Sequence, residues 1–340
     1  MTSKHDVDNK LARSDELARN KESGRSVTEI VVRYGALSAV VLTVAVFSAL
    51  SPDAFFTMLT LKAILRDCVP LLIVALGLTC VLVQNQFDLS VGGLTSLCAT
   101  IVVVLLSTSY VGMPYELAIV ATLAVGALLG LANGVLVAYV GMNAFIITIA
   151  TGTIFTGLGL FIVDSQSVYT GIDPGYLEIA NSTLFGLSTQ VYIGAAVLLI
   201  VNVLLRGTYF GRYMYAIGGN PEAARLTGLR VRAIQASGFA AVGLGAAMSA
   251  ILLTSLAGAG NPNTGAGLFL PAYAAAFLGS SIYRIGLFTP IGTAVGAVYL
   301  QIVGTGLTIL NLSGDLVIII QGSILAGAVA ISRLVQLERR

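Results

Sequence analysis

Residues 216–232 read AIGGNPEAARLTGLRVR. Asn220 is a strong helix N-cap residue, and Pro221 suits the first helical position, where its missing N–H costs nothing. Glu222 falls in the first turn, where a negative charge complements the helix dipole. Ala223, Ala224, Arg225 and Leu226 are helix-compatible, and Gly228 suits the left-handed residue just past a helix end. The stretch predicts one short, capped helix of roughly two turns. Gly218 and Gly219 allow a sharp turn into it. A polar, arginine-bearing run of this kind belongs in water, yet the sequence on both sides of it is strongly apolar.

That contrast sets the fold class. The chain has 340 residues, of which 56% are hydrophobic and 10% charged, with 38 glycines. Soluble domains carry about 25% charged residues, so the composition points to the bilayer. A net charge of +2 is too small to suggest a nucleic-acid partner. Cys68, Cys80 and Cys98 sit in or beside apolar runs at spacings that match no zinc pattern. The single histidine, His5, lies in a polar tail, which leaves no histidine catalysis or histidine metal site in the apolar part. The last lysine is Lys62. A Walker A loop needs glycines followed by lysine, so the chain has no such ATPase site of its own. Residues 1–33 hold seven Lys or Arg and six Asp or Glu. They are too long and polar for a signal-peptide n-region and read as a cytosolic tail.

A helix needs about 20 apolar residues to cross the hydrocarbon core. Ten segments qualify, near 34–51, 68–85, 89–108, 116–140, 143–163, 188–205, 234–257, 268–283, 286–310 and 315–335. The third and eighth are the weakest, being glycine-interrupted or short. Helices are the expected spanning form, because backbone groups in lipid must be satisfied internally. The result is an all-α membrane protein: tail 1–33, transmembrane domain 34–335 with a polar loop at 206–232, and C-terminus 336–340. Basic residues mark the cytosolic side. With the N-terminus inside, Arg206, Arg212, Arg225, Arg230 and Arg232 fall inside, as do Arg333, Arg339 and Arg340. The outer segment 164–187 carries Asp164, Asp173 and Glu178 and no basic residue. Lys62 and Arg66, on the outer side, are the exception.

The short helix therefore faces the cytosol. Its exposed side chains suit a groove on a partner, or the helix lies on lipid headgroups. Here GRYMYAIGGNPEAARLTGLRV at 211–231 resembles the cytosolic coupling loop of bacterial ABC permeases for sugars of the ribose, xylose, arabinose and galactose type. Asn220, Pro221, Glu222, Ala223, Ala224, Arg225 and Gly228 match the family run residue by residue. FDLSVGGL at 87–94 resembles a second family run, with Phe87 where isoleucine is usual. NAFIITIATGTIFTGLGL at 143–160 resembles a third, with Ile-Ala-Thr where Leu-Gly-Thr is commoner. The resemblance covers about 60–335. It implies a fold of the type II ABC importer kind, in the bacterial inner membrane. It also implies a pore made by two copies or by this chain and a paralogue. A separate ATPase that uses Mg and ATP would dock on Gly218 to Gly228, and a periplasmic binding protein would deliver a sugar-like substrate. The chain itself would bind no cofactor.

Pathway candidates are fewer. Asp88, in QNQFDLSVGG, sits between two apolar runs, and a charge at membrane depth costs at least about 2.5–3.5 kcal/mol. It caps the third span at the cytosolic surface beside Ser90 and Gly92, serves in gating, or touches substrate. Asn143 opens the fifth span. Thr148, Gly152 and Thr156 recur every four residues and share a helix face, which serves close helix approach or lines a polar path. GAGNPNTGAGLFLP at 258–271 is a second broken apolar region. It reads as an outer turn, or it pairs with QNQFDLSVGG as a second interrupted helix. No span carries a ladder of acids or arginines, which suits a neutral solute with energy supplied elsewhere. The competing class is a stand-alone carrier or channel. An intramembrane enzyme would need a nucleophile and base, or a metal cluster, at membrane depth, and the spans show no paired acids at helical spacing and no histidine.

Overall fold

The computed structural model describes residues 40–282 and 286–338. The tail expected at 1–33 lies outside them. Among the described residues the chain is helical apart from one two-residue hairpin, β1 (Thr183–Leu184) paired antiparallel with β2 (Leu187–Ser188). The helices are α1 (Val40–Leu50), α2 (Pro52–Phe55), α3 (Met58–Leu82), α4 (Val91–Leu106), α5 (Tyr115–Ala138), α6 (Ala144–Ile162) and α7 (Pro174–Asn181). They continue as α8 (Thr189–Asn202), extended by a π turn over Val203–Gly207, α9 (Tyr209–Gly219), α10 (Pro221–Leu226) and α11 (Val231–Ala257). A 3-10 turn, Ala266–Leu268, leads into α12 (Phe269–Ile282), followed by α13 (Pro290–Ile309) and α14 (Gly314–Glu338).

Local sequence explains where these helices begin. Thr57, Asn143, Asp173, Ser188, Thr208, Asn220 and Thr289 each accept a hydrogen bond from a first-turn N–H through the side chain. Such caps stabilise a helix by about 1 kcal/mol each. Proline follows the cap directly at Pro174, Pro221 and Pro290.

Among the described residues, six helices are long and apolar enough to cross a membrane: Met58–Leu82, Tyr115–Ala138, Ala144–Ile162, Thr189–Gly207, Val231–Ala257 and Pro290–Ile309. Shorter apolar helices occupy Val40–Leu50, Val91–Leu106, Ala266–Ser281 and Gly314–Ile324. The second expected span starts earlier than its apolar run, at Met58 rather than 68. Lys62 and Arg66 thus belong to the first turns of α3 rather than to a loop. Arg66 is neutralised by its neighbour Asp67 at 2.7 Å, so the helix accepts both charges near its end. The segment 164–187, expected on the outer side, is also more structured than a loop: Tyr176 of α7 is fully buried and its hydroxyl meets the Ile251 carbonyl at 2.9 Å.

α3 and α11 form the centre, with α4, α5, α12 and α13 around them. On α5, Gly126, Gly130 and Gly134 lie against the α11 backbone so closely that a Cβ at any of them would overlap it. Small residues at four-residue spacing let helices approach to backbone contact. Outward faces of α5, α6 and α8 carry exposed Leu117, Val120, Leu128, Ile146, Phe161 and Leu199. Exposed apolar surface on this scale marks burial in lipid or against another chain.

Candidate functional site

α9 and α10 form a rigid element at one end of the bundle. Asn220 Oδ1 accepts from the Ala223 N–H at 3.0 Å, as the sequence predicts, and Gly228 takes φ 84° just past the helix. Ala224 is buried in a cluster with Cys80 and Val83 of the α3 end, Met214 and Ile217 of α9, and Ile234 of α11. Glu222, Ala223, Arg225 and Leu226 are exposed, Leu226 to 89%. Gly218 does not make the expected turn. It lies inside α9, where a Cβ would overlap the Val83 carbonyl, and its smallness seats the element on the end of α3. Beside α10 a cavity of about 410 Å³ is lined by Tyr139, Arg225, Leu229, Arg230 and Arg232.

From Val83 the chain turns and re-enters the bundle without helical structure until α4 begins. Asp88 is not the cap of α4 at a surface; Ser90 holds the cap position and Asp88 is 0% exposed. Its Oδ1 accepts from the Ser90 N–H at 2.9 Å and from the Ser90 hydroxyl at 2.5 Å. Asn133 of α5 donates to that hydroxyl at 2.9 Å. Thr148 of α6 accepts from the Leu89 N–H at 3.0 Å. Asn133 and Thr148 lie one to two turns inside their helices, so α4 starts well below the end of the bundle.

The second broken segment comes to the same place. Gly260 bridges to Val168 at the end opposite α10, with bonds of 2.9 and 2.8 Å. The chain then descends along α4 until the Gly265 N–H donates to Ser96 Oγ at 2.9 Å. Residues 258–271 are therefore more than an outer turn. Tyr273 of α12 closes the junction: its hydroxyl donates to the Asp88 carbonyl at 2.9 Å and accepts from the Asp88 N–H at 3.0 Å. Both interrupted segments flank one cavity of about 530 Å³, lined by Leu89, Gly92, Gly93, Ser96, Phe145, Ile149, Gly152, Thr153, Thr156, Ala266 and Phe269.

The face predicted on α6 divides in two. Gly152 and Thr156 line the cavity. Gly152 also permits close packing, since a Cβ there would come within 2.9 Å of Ser90 Cα. Thr148 is buried beside it and holds the α4 entry. Asn143 lies off the cavity, exposed, as the cap of α6 with bonds of 3.0 and 3.3 Å to the Phe145 and Ile146 N–H groups. Sequence reasoning missed Ser96, Phe145, Thr153, Phe269 and Tyr273. The four-residue spacing of Phe269, Tyr273 and Phe277 was the available signal for an aromatic face on α12. No group of three or more metal-ligating side chains occurs among the described residues.

Residues 60–329 match the family model described as the branched-chain amino acid transport system / permease component. The ribose import permease protein of Escherichia coli strain K12 is 32% identical over 302 residues, covering 87% of this chain and 92% of that protein. The ribose import permease protein of Haemophilus influenzae is 29% identical over 300 residues, again 87% and 92%. The autoinducer 2 import system permease protein of Escherichia coli O9:H4 is 32% identical over 321 residues, covering 91% and 95%. No solved structure matches. A match over most of the chain, joined to apolar helices that bracket a capped polar element, leaves one assignment: the chain belongs to this family of transport permease components and is a multi-pass membrane protein.

Proposed function

We propose that this chain is the pore-forming permease subunit of an ATP-driven importer for a sugar or sugar-like solute. The observation that carries the proposal is α10, a capped helix anchored through Ala224 whose Glu222, Arg225 and Leu226 are offered to a partner. Gly218, Gly219, Asn220, Pro221, Glu222, Ala223, Ala224, Arg225 and Gly228 form the seat for a separate ATPase. That partner binds and hydrolyses Mg–ATP, while the chain itself binds no cofactor and catalyses no reaction.

Relatives named for ribose, D-allose and autoinducer 2 import support the solute class. So does the cavity, whose described lining holds hydroxyls, backbone and aromatic rings but no ionisable side chain. An amino acid, the solute in the family description, carries an ammonium and a carboxylate that nothing in this lining pairs, and unpaired buried charge is costly. Gly152 and Thr156 border the translocation path, Asp88 and Thr148 hold its rim, and Asn143 fixes the start of α6.

Ten helices cross the bacterial inner membrane, six long and four shorter, with both termini cytosolic. The exposed arginines around α10 then obey the positive-inside bias, and the shorter Val91–Leu106 and Ala266–Ser281 are the interrupted pair. The exposed apolar faces of α5 and α6 suit a second copy or a paralogue, and a periplasmic binding protein delivers the solute on the far side. The test is purification of the tagged native complex in mild detergent with identification of co-purifying chains. A P-loop ATPase is expected with the native chain and absent with Glu222→Lys, which still inserts. Recovery of the native chain alone, under conditions that keep a known ABC complex intact, would replace this reading with a stand-alone carrier.

A further inference from the structure

One continuous set of contacts runs from the α9–α10 element to both walls of the cavity, and it rests on side chains that the proposed function leaves unused. The Tyr215 hydroxyl, on α9, donates to the Phe288 carbonyl at 2.8 Å, just ahead of α13. The Phe288 ring meets Phe277 edge-on, with centroids 5.2 Å apart and planes at 83°. Phe277 stacks with Tyr273 at 6.5 Å, and Phe269 meets Tyr273 edge-on at 5.5 Å. These three residues follow one face of α12. Phe87 also stacks with Tyr273, at 6.4 Å. Tyr273 is only 5% exposed, and its hydroxyl spends both its donor and its acceptor capacity on the backbone of Asp88.

Tyr273 therefore touches both sides of the cavity. Phe269 is part of the lining on the α12 side, and Leu89, bonded in sequence to Asp88, is part of it on the α4 side. The segment it clamps has no helix or sheet bonds of its own. Its position is set by side chains: Tyr273 and Ser90 on Asp88, and Thr148 on Leu89. Irregular backbone held this way moves with the groups that hold it. A packed row of rings is stiff, because protein interiors are close-packed and transmit displacement.

We propose that Tyr215 and Tyr273 are the positioning residues that carry movement of the α9–α10 element to the cavity. The proposal rests on the reading of α10 as an ATPase seat and of the cavity as the path. Displacement of α9 shifts Phe288 through the Tyr215 hydroxyl, the rings pass the shift along α12, and Tyr273 moves Asp88 and Leu89 against α6. Contact alone does not establish coupling, so the test measures response at the far end.

The assembled transporter, with its ATPase, is prepared with Cys68, Cys80 and Cys98 replaced by serine and Thr153→Cys as the sole thiol. The rate of N-ethylmaleimide labelling is measured with and without Mg–ATP plus vanadate. In the parent, nucleotide changes the rate. Losing one hydrogen bond shifts an equilibrium by about fivefold, so Tyr215→Phe is expected to shrink the nucleotide-dependent change about fivefold, and Tyr273→Phe, which loses two bonds, by more than that. ATPase recovery stays unchanged in both variants, and the nucleotide-free rate stays unchanged in Tyr215→Phe. The double variant loses no more than the larger single, because the two residues act in series. A full response in either single variant overturns the proposal, as does a double-variant loss equal to the product of the two. A merely structural role for the tyrosines would lower recovery or alter the nucleotide-free rate while leaving the response intact, and that also overturns it. A parent that shows no response overturns the cavity's assignment as the path, and this proposal with it.

Discussion

Thr148→Val isolates the bond that starts α4. The two side chains have nearly the same shape, so the substitution leaves no cavity, but it removes Oγ1. That atom donates to the Ala144 carbonyl at 2.6 Å and accepts from the Leu89 N–H at 3.0 Å. The Ala144 carbonyl keeps a partner within its own helix. The Leu89 N–H has no other acceptor among the described residues. Thr148 is fully buried, so water does not replace the lost oxygen. Leaving such a donor unsatisfied costs about 1–3 kcal/mol. At roughly 2 °C per kcal/mol for a domain this large, the apparent melting temperature in detergent falls by about 2–6 °C. The control is Thr153→Val, on the same helix, where an exposed hydroxyl serves only the Ile149 carbonyl one turn back. Its expected change is within about 1 °C, as for most surface substitutions. The assay is size-exclusion recovery after stepped heating at a fixed rate, since detergent unfolding is irreversible and the midpoint depends on rate. Equal midpoints for the two variants would refute the claim that Thr148 pins the α4 entry.

The capping bond of α10 is tested by Asn220→Ala, which removes the acceptor for the Ala223 N–H; about 1 kcal/mol of local stability goes with it, seen as faster amide exchange over 223–227 with no change in exchange of α11. Filling the cavity with Thr153→Trp is expected to abolish uptake while the ATPase still co-purifies, and normal uptake would remove the cavity from the path. Asp88→Asn keeps the acceptor used by Ser90 and drops a buried charge, so it is expected to melt within about 1 kcal/mol of the native chain, whereas Asp88→Ala leaves the Ser90 N–H unpaired and loses about 1–3 kcal/mol. If heating recovery puts Asn beside Ala, the charge rather than the bond geometry is in use.

Much of the fold was legible because bilayers demand long apolar runs, and each expected apolar segment coincides with a helix or with part of one. The cap at Asn220 and the left-handed Gly228 followed from local backbone chemistry alone. What escaped were features set by distant packing. Lys62 and Arg66 hid the first turns of α3, because hydropathy counts charges without knowing that Asp67 neutralises one of them. The role of Gly218 depended on Val83, more than a hundred residues away in sequence. Asp88 looked like a surface cap because Asp before a helix usually is one; its burial is decided by Tyr273, Asn133 and Thr148, which lie on three other helices. The pairing of 84–93 with 258–271 was suggested by their broken apolar runs, yet from the sequence alone an outer turn at 258–265 was the simpler reading.

The chemistry of the cavity bears on where affinity and driving force reside. Thr153 and Thr156 already donate their protons to the Ile149 and Gly152 carbonyls, and Ser96 Oγ already accepts from Gly265. What remains for a solute is mostly lone pairs, to which a sugar hydroxyl donates in exchange for water. Each such exchange is worth about 0.5–1.5 kcal/mol net, and the ring faces of Phe145 and Phe269 add apolar contact. A lining of this kind accepts a polyol and lets it go. On the proposed function, tight selection then falls to the binding protein, and direction has to come from moving the walls. The irregular parts of those walls are the two non-helical stretches, of which the first is tied to α12 through Tyr273 and the second runs directly into α12. On the same proposal, a smooth site whose wall is linked to α9 would separate this arrangement from a carrier, whose own buried charges would have to bind and release the coupling ion.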